Sequence, residues 1–524
     1  MKVHSNVARA TTVVASVTFL SRISGLARDI MVATFFGTGM AADAFFVAFR
    51  IPNLLRRLVA EGSLTVSFVP VFTEYLNQKS KKEAFELAST AISVFALILA
   101  LISFLGVLLS PLIITIFAPG FAAIPQKIEL TIMLNRIIFP YIFFIGLVAL
   151  SMGILNGLGH FFAPAAAPIL LNLSMITVTI VCYNLFAQPI FVLAVGVIVG
   201  GILQLIFQIP YLKAHGFSFK FKAHFRHPAI KRIGLLMLPA AFGMALYQVN
   251  IFVATFLASF LPSGSVSYLY YANRIIEFPL GIFAVSMGIA LLPEASRIAA
   301  ENDTQKLLGT FSTSLRMLLF IMFPAMVGLI TLRIPIISLI YQHGNFGYDE
   351  TIYTSQALVC YALGLCAIAG VRITVPFFYG LQDTKTPVKI AAIAIGVDIV
   401  ASIILMFPLK HNGLALATTV ASFTNFILLF VVLRSRIGSQ QAIIMFPSIG
   451  KICFASALMA GGVHFIAHTI NWQSSGDIVA KIVILALSII SGIIIYVTTT
   501  YLIKVKEAGY ILETIKTTLK RKTS

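Results

Sequence analysis

Runs of some 20 or more residues in which polar positions are rare recur from one end of the chain to the other, separated by short stretches holding Lys, Arg, Gly, Pro or Asn. About 20 helical residues cross a hydrocarbon core of about 30 Å, and there only helices or closed barrels satisfy their own backbone groups. The pattern therefore predicts an all-α polytopic membrane protein of about 14 transmembrane helices. Their spans run roughly over 10–36, 41–75, 84–116, 128–157, 164–186, 189–212, 230–261, 267–297, 306–332, 352–380, 388–408, 413–434, 447–470 and 479–503.

Punctuation residues recur along this series at one common offset: Pro70 and Pro293, Gly157 and Gly380, Pro164 and Pro387. The segments VAFRI, ending at Ile51, and YANRI, ending at Ile275, correspond at nearly the same offset, which puts Arg50 and Arg274 in similar places. The expected organisation is an N-lobe of six helices over 1–212, a basic connection over 213–229, and a C-lobe of six helices over 230–434. Residues 435–524 hold two further helices and a basic tail. Repeats of this kind place a substrate site between the halves near the midplane. The expected architecture is thus a pseudo-repeat of two six-helix lobes around a central cavity, plus two C-terminal helices.

Composition agrees with the pattern. Of the 524 residues 59% are hydrophobic and 10% charged, and the mean hydropathy is +0.98, whereas soluble domains carry about 25% charge. A net charge of +19 needs no nucleic-acid partner here. Most Lys and Arg fall at the termini and in the even-numbered connections, above all Lys213, Lys220, Lys222, Arg226, Lys231 and Arg232 after the sixth span. An excess of Lys and Arg marks the cytoplasmic side, so both termini are expected there. Cys182, Cys360, Cys366 and Cys453 sit in apolar runs without CxxC spacing and read as small core residues. The first apolar run contains Arg22, Arg28 and Asp29 and has no small-residue cleavage site, which speaks against a cleaved signal peptide. Histidines without HxxxH or HExxH spacing indicate no metal site, and no phosphate-binding loop is present, so neither a cofactor nor ATP hydrolysis is expected.

Charges within the apolar runs change the picture most. The first two spans carry Arg22, Arg28, Asp29, Asp43, Arg50, Arg56, Arg57 and Glu61. Each centrally placed charge costs about 2.5–3.5 kcal/mol on insertion scales, so such a set persists where it faces a wet interior and binds something. Five arginines predict an anionic substrate. Arg22 and Asp29, seven apart, share a helix face, with Arg28 about 120° round from Arg22. Asp43, Arg50 and Arg57 repeat at seven, but Pro52 bends the helix and spoils the phase beyond it, so counting leaves open whether Arg56 or Arg57 points inward. One of them pairs with Glu61 or reaches toward the headgroups on a purely structural reading.

A second cluster opens the eighth span, where Ser267, Asn273, Arg274 and Glu277 lie in SVSYLYYANRIIEFPLG. Arg274 and Glu277 can pair at i, i+3; alternatively Arg274 completes a ring of guanidinium groups with the arginines of the first two helices. Arginine suits that task because its fork binds phosphate oxygens bidentately and stays charged when partly desolvated. Arg316 and Arg372 read as helix-end anchors or packing partners. Asp398 is a weak candidate for ion coupling.

The stretches SRISGLARD, GMAADAFFVAFRIPNLLRRLVAEGSL, SGSVSYLYYANRIIEFPLG and GLQDTKTPVK resemble the MurJ (MviN) family of lipid II flippases over nearly the whole chain. That family belongs to the multidrug/oligosaccharidyl-lipid/polysaccharide exporter superfamily, whose members have two six-helix lobes around a central cavity. The resemblance implies two C-terminal helices forming a groove for the polyprenyl tail. It places the substrate-binding arginines at Arg22, Arg28, Arg56 and Arg274, preferring Arg56 to Arg57. Asp43, Ser267 and Glu277, with Arg50, become supporting cavity residues. Asn273 departs from the acidic residue common before this arginine, and Ser402 from a common Asn in the eleventh span, which bears on sodium coupling.

By the same resemblance the partner is lipid II, flipped across a bacterial inner membrane by a monomer surrounded by membrane lipids and driven by the membrane potential or an ion. The competing classes are a flippase for another lipid-linked oligosaccharide, a drug exporter of the same superfamily, and an enzyme acting on polyprenyl phosphates. A cation-drug exporter presents carboxylates where this chain presents arginine, and an enzyme needs an acid/base or metal constellation that the spans lack.

Overall fold

An apolar run in lipid closes its backbone hydrogen bonds on itself, and every regular element among the described residues is a helix. A computed structural model of the chain describes residues 2–58, 64–437, 442–474 and 477–509. Contacts divide it into two compact units, one ending at Ser267 and the other beginning at Tyr268.

The first unit holds α1 (Lys2–Phe36), α2 (Met40–Leu55), α3 (Thr65–Gln78), α4 (Lys81–Leu108), α5 (Ser110–Phe117), α6 (Pro125–Ile138), α7 (Tyr141–Gly157), α8 (Phe162–Cys182), α9 (Phe191–Ala214) and α10 (Pro228–Ser259). Helix α11 (Ser265–Pro279) starts at its end. In this unit α1 packs on α8, α8 along α9, and α7 against α3, α4 and α9. Small residues permit these approaches, as in other membrane bundles where backbones must come close. A Cβ on Gly196 would lie 3.0 Å from the Cα of Met175, and one on Gly200 would lie 3.0 Å from the Cα of Leu171 and 2.7 Å from its Cδ1. Phe68, Phe72, Leu87, Ala88, Ala91, Leu150 and Ile154 form the centre of the unit's core.

The second unit holds α12 (Val285–Ala300), α13 (Thr304–Thr331), α14 (Arg333–Tyr341), α15 (Tyr348–Leu363), α16 (Leu365–Gly380), α17 (Lys385–Leu409), α18 (His411–Ile437), α19 (Ala442–Ala467) and α20 (Ile478–Leu502). Helix α12 packs on α16, α17 on α18, and α19 on α13 and α20. The last two helices have a core of their own with α13 and α14, built from Phe320, Leu332, Ile452, Ala455, Met459, Val463, Trp472, Leu485 and Tyr496. Between α16 and α17 the Asp383 carboxylate accepts from Lys385 N and Thr386 N (3.0 Å each) and from Thr386 Oγ1, and it pairs with Arg436 at 2.6 Å. Those hydrogen bonds from Thr386 foremost, then Arg436, hold its carboxyl well below the usual carboxylate range. The aspartate of GLQDTKTP thus caps the first turn of α17 and clips it to the end of α18.

Ten helical segments among the described residues are long and apolar enough to cross a membrane, eleven if α15 and α16, bent by 41°, form one span. The first, second and seventh expected spans lie outside that set yet are helical: α1, α2 with α3, and α10. Large apolar side chains such as Phe104, Phe407 and Phe465 are 65%, 77% and 79% exposed, as lipid-facing surface requires. The second and eighth spans are interrupted alike. Residues 56–58, after Pro52, and Leu280–Ala284, after Pro279, wind as π-helix.

The division at Ser267 falls later than the 213–229 connection, and α10 packs with α3, α5 and the 3-10 turn Pro119–Ala123. That connection is tied down along α4: Lys220 N and Lys222 N donate to Ser89 and Ser93 Oγ (3.5 and 3.0 Å), and Lys222 pairs with Glu86. Arg232 pairs with Glu74 at 2.8 Å. A linker so held carries the start of α10 into the first unit.

The α8–α9 contact has a direct test. Gly200→Val forces a side chain into Leu171, and overpacking of this kind costs about 1–3 kcal/mol. The expected outcome is a clear drop in the unfolding temperature of the detergent-purified protein. Gly234→Ala, with no atom within 4 Å of the added Cβ, should show no drop.

Candidate substrate site

Helix α1 carries its charges in two different settings. Arg22 is exposed and makes no hydrogen bond or ion pair with a described residue. Arg28 is 9% and Asp29 1% exposed; Arg28 Nη2 and Nε donate to Asp29 Oδ1 at 2.6 and 3.1 Å. Arg28 Nη1 also donates to Asn172 Oδ1 on α8 at 3.2 Å, and Asn172 Nδ2 donates back to Ser24 Oγ and Ser21 O. Arg22 and Asp29 therefore do not share an environment despite their spacing of seven. Helix α8 covers the Arg28–Asp29 side of α1 and leaves Arg22 outside that contact.

On α2, Arg50 Nη1 donates to Thr255 Oγ1 of α10 at 2.7 Å. Arg56 is half-buried and donates from Nε to Asn53 Oδ1 at 3.0 Å. Arg57 is exposed. Glu61, the expected partner of one of the two, lies outside the described residues.

At the other end of α2, Asp43 and Ser267 come together as a buried polar knot. Asp43 is fully buried, and both of its oxygens are filled. Oδ1 accepts from Ser267 N (3.0 Å) and Ser267 Oγ (2.7 Å); Oδ2 accepts from Gly264 N (2.8 Å) and Lys127 Nζ (2.9 Å). The carboxylate thus satisfies amide groups at the start of α11 from another helix, the service an N-cap residue performs within its own chain segment. Lys127, 2% exposed, neutralises it, donates to Ser263 Oγ at 3.3 Å and stands 4.1 Å over the Phe121 ring. Lys127 and Asn172 escaped the sequence reading. The signal for Lys127 was its position, a basic residue on the side of the chain where few occur; Asn172 in an apolar run had none.

In the second unit Arg274 pairs with Glu277 at 3.3 Å, one turn on, and Asn273 Nδ2 donates to the same carboxylate at 3.4 Å. Both members of the pair are partly exposed, 31% and 52% by side chain. Asp398 and Ser402 are buried one turn apart on α17. Arg316, expected as an anchor, pairs with Glu507 at 3.3 Å. No group of three or more His, Cys, Asp or Glu side chains among the described residues is arranged to hold a metal.

The model of the family described as "Lipid II flippase MurJ" matches residues 32–497. The chain belongs to the MurJ family. It is 35% identical over 474 residues to the probable lipid II flippase MurJ of Vibrio cholerae serotype O1, covering 88% of this chain and 90% of the relative. To the lipid II flippase MurJ of Burkholderia cenocepacia it is 35% identical over 477 residues, 89% and 91% of the two chains. A solved structure titled lipid II flippase MurJ, inward closed conformation, superposes with a TM-score of 0.78 at 29% identity over 94% of this chain and 98% of that one. An inward-facing multidrug MATE-family transporter of the MOP superfamily follows at a TM-score of 0.66 and 16% identity, over 81% of this chain and 98% of that one, a likeness of fold. The family and the all-helical transmembrane fold agree with the reading of the sequence.

The knot of this MurJ-family chain predicts a thermodynamic cycle. Removing one partner of a buried ion pair costs about 3–5 kcal/mol because the other charge is left uncompensated. Lys127→Met should therefore lower thermal stability sharply, and Asp43→Asn added to it should restore part of the loss rather than deepen it. Additive losses in unfolding experiments on the purified single and double variants would contradict the pairing.

Proposed function

We propose that the chain is a lipid II flippase, moving the undecaprenyl-pyrophosphate-linked peptidoglycan precursor from the cytoplasmic to the outer leaflet of the inner membrane and so serving cell-wall synthesis. The relatives' names supply the substrate. The observation in the chain itself that carries the reading is Arg22, an exposed guanidinium in a helix with the length of a span and no partner among the described residues. A charge in that position is stable facing water or an anionic ligand, and unstable facing hydrocarbon.

Lipid II presents a pyrophosphate, a disaccharide and peptide carboxylates, all too polar to cross hydrocarbon unaided. Arg22, Arg28, Arg56 and Arg274 replace the water around the pyrophosphate with guanidinium contacts, bidentate where the fork fits. Arg28 is pre-oriented by Asp29 and Asn172, Arg56 by Asn53, and Arg274 by Glu277. Asp43, Ser267 and Arg50 hold the surrounding helices. Two compact units with separate cores are the bodies that alternating access needs. The polyprenyl tail stays in lipid or along the last two helices. The concentration of basic residues puts both termini and the 213–229 connection in the cytoplasm. Asp398 and Ser402 lie close enough on α17 to bias an ion, but a single carboxylate beside a hydroxyl is a poor cation site.

Arg22→Ala, Arg28→Ala, Arg56→Ala and Arg274→Ala should each reduce lipid II binding and flipping about tenfold or more, since a charge-assisted hydrogen bond contributes about 1.5–3 kcal/mol. Lysine should rescue only partly, because it keeps the charge and loses the fork. Arg57→Ala should be milder. Proteoliposomes with defined lipid-linked substrates and the purified variants provide the measurement, with Arg28→Lys as the informative change at the buried Arg28–Asp29 pair, where alanine also costs stability; Arg22, Arg56 and Arg274 alanine variants that bind lipid II like the parent would refute the arginine mechanism.

A further inference from the structure

The second unit contains a pocket of about 550 Å³ that shares no residue with the proposed substrate site. It lies where α13 turns into α14 and α19 runs into the connection to α20. Its polar lining comes from Thr331, Arg333, His464, His468, Asn471 and Tyr348, while the Trp472 indole N–H is spent on Ala467 O at 2.7 Å. No Asp or Glu is among its lining residues. We infer that this pocket binds the phosphate of a resident membrane phospholipid.

The chemistry points to an anion. Arg333 is half-buried and uses one Nη1 hydrogen bond on Ile330 O at 3.0 Å, leaving further donors of its fork for a ligand. The His464 and His468 rings sit with centroids 3.8 Å apart. His468 Nδ1 is engaged by His464 O at 2.9 Å, so its Nε2 faces outward from that bond. One arginine and two imidazoles line the pocket without a carboxylate among them, a donor set whose guanidinium fork fits phosphate oxygens.

Its depth and its neighbour point to a lipid. The pocket is at the ends of span-forming helices, and Tyr348, half-buried in its wall, is a residue type that settles at the headgroup level. Directly beside it, α19 presents Phe454, Leu458 and Phe465, 56%, 48% and 79% exposed. At 100° per residue these three, with the pocket residues Gly461 and His468, fall within about 80° of arc on one side of the helix. A phosphate seated on Arg333 and the histidines therefore has an apolar stripe leading away from it, the shape of an amphiphile rather than of a free ion.

The chain's single tryptophan is Trp472, so its emission reports the site in the full-length protein. Titration of the detergent-purified protein with dioctanoyl-phosphatidylglycerol should give a saturable change in Trp472 emission. Inorganic phosphate should need at least tenfold higher concentration, and dioctanoylglycerol, which has the chains without the phosphate, should give no saturable change. Arg333→Gln and the double variant His464→Ala, His468→Ala should each shift the phosphatidylglycerol midpoint about tenfold or more, with Arg333→Lys between. An unshifted midpoint in Arg333→Gln, or equal potency of dioctanoylglycerol, overturns the phosphate contact. Equal potency of inorganic phosphate overturns the lipid and leaves a soluble-anion site. Should Arg333→Gln fail to fold, the three ligands on the parent protein still decide.

Discussion

A charge placed in an apolar helix must be matched by a counter-charge, by hydrogen bonds, or by water and whatever the water gives way to. That constraint orders the first unit. Asp43 meets it completely, with four hydrogen bonds and Lys127 as counter-ion. Arg28 meets it with Asp29 and Asn172. Arg22 meets it with none of the described side chains, and remains exposed. The three residues look alike in the sequence, as charges within apolar runs. Their partners separate a structural knot, an oriented guanidinium and an exposed one.

Backbone satisfaction imposes a second, parallel demand. Pro52 and Pro279 each remove an amide donor from a span, and both spans pass through a π-helical stretch soon afterwards. Windings of this kind concentrate at functional sites because they re-aim the side chains around them. Here they adjoin the segments that carry Arg50 and Arg56 in one unit and Arg274 in the other. Side chains also bond to helix carbonyls directly: Gln204 and Gln208 on α9 donate to Ala167 O and Ala163 O of α8, tying the two helices together.

What was legible in the sequence follows from what a single helix determines. The presence of helices along the chain, the pairing of Arg274 with Glu277 at one turn, and a break in regular winding after Pro52 depend on neighbours in the chain, and they could be read. The setting of Arg28 depends on α8 lying across α1, so the seven-residue spacing from Arg22 to Asp29 promised a shared face that packing then divided. Lys127 reaches Asp43 across more than eighty positions, a relation no periodicity encodes. The bonds from the backbone of the 213–229 connection to Ser89 and Ser93 were likewise hidden, because they depend on α4 lying beside a stretch that reads as a linker.

The knot at Asp43 holds a single turn of α11 rather than its whole length. Its bonds are short and fully buried, yet all but one of its donors, Lys127, lie in the short loop and first turn from Ser263 to Ser267, where one compact unit ends and the other begins. A carboxylate that caps a helix start fixes the position of the helix's first turn without bonding to its length. The remainder of α11, from Tyr268 through Arg274 and Glu277 to the π-helical stretch, is carried by the second unit.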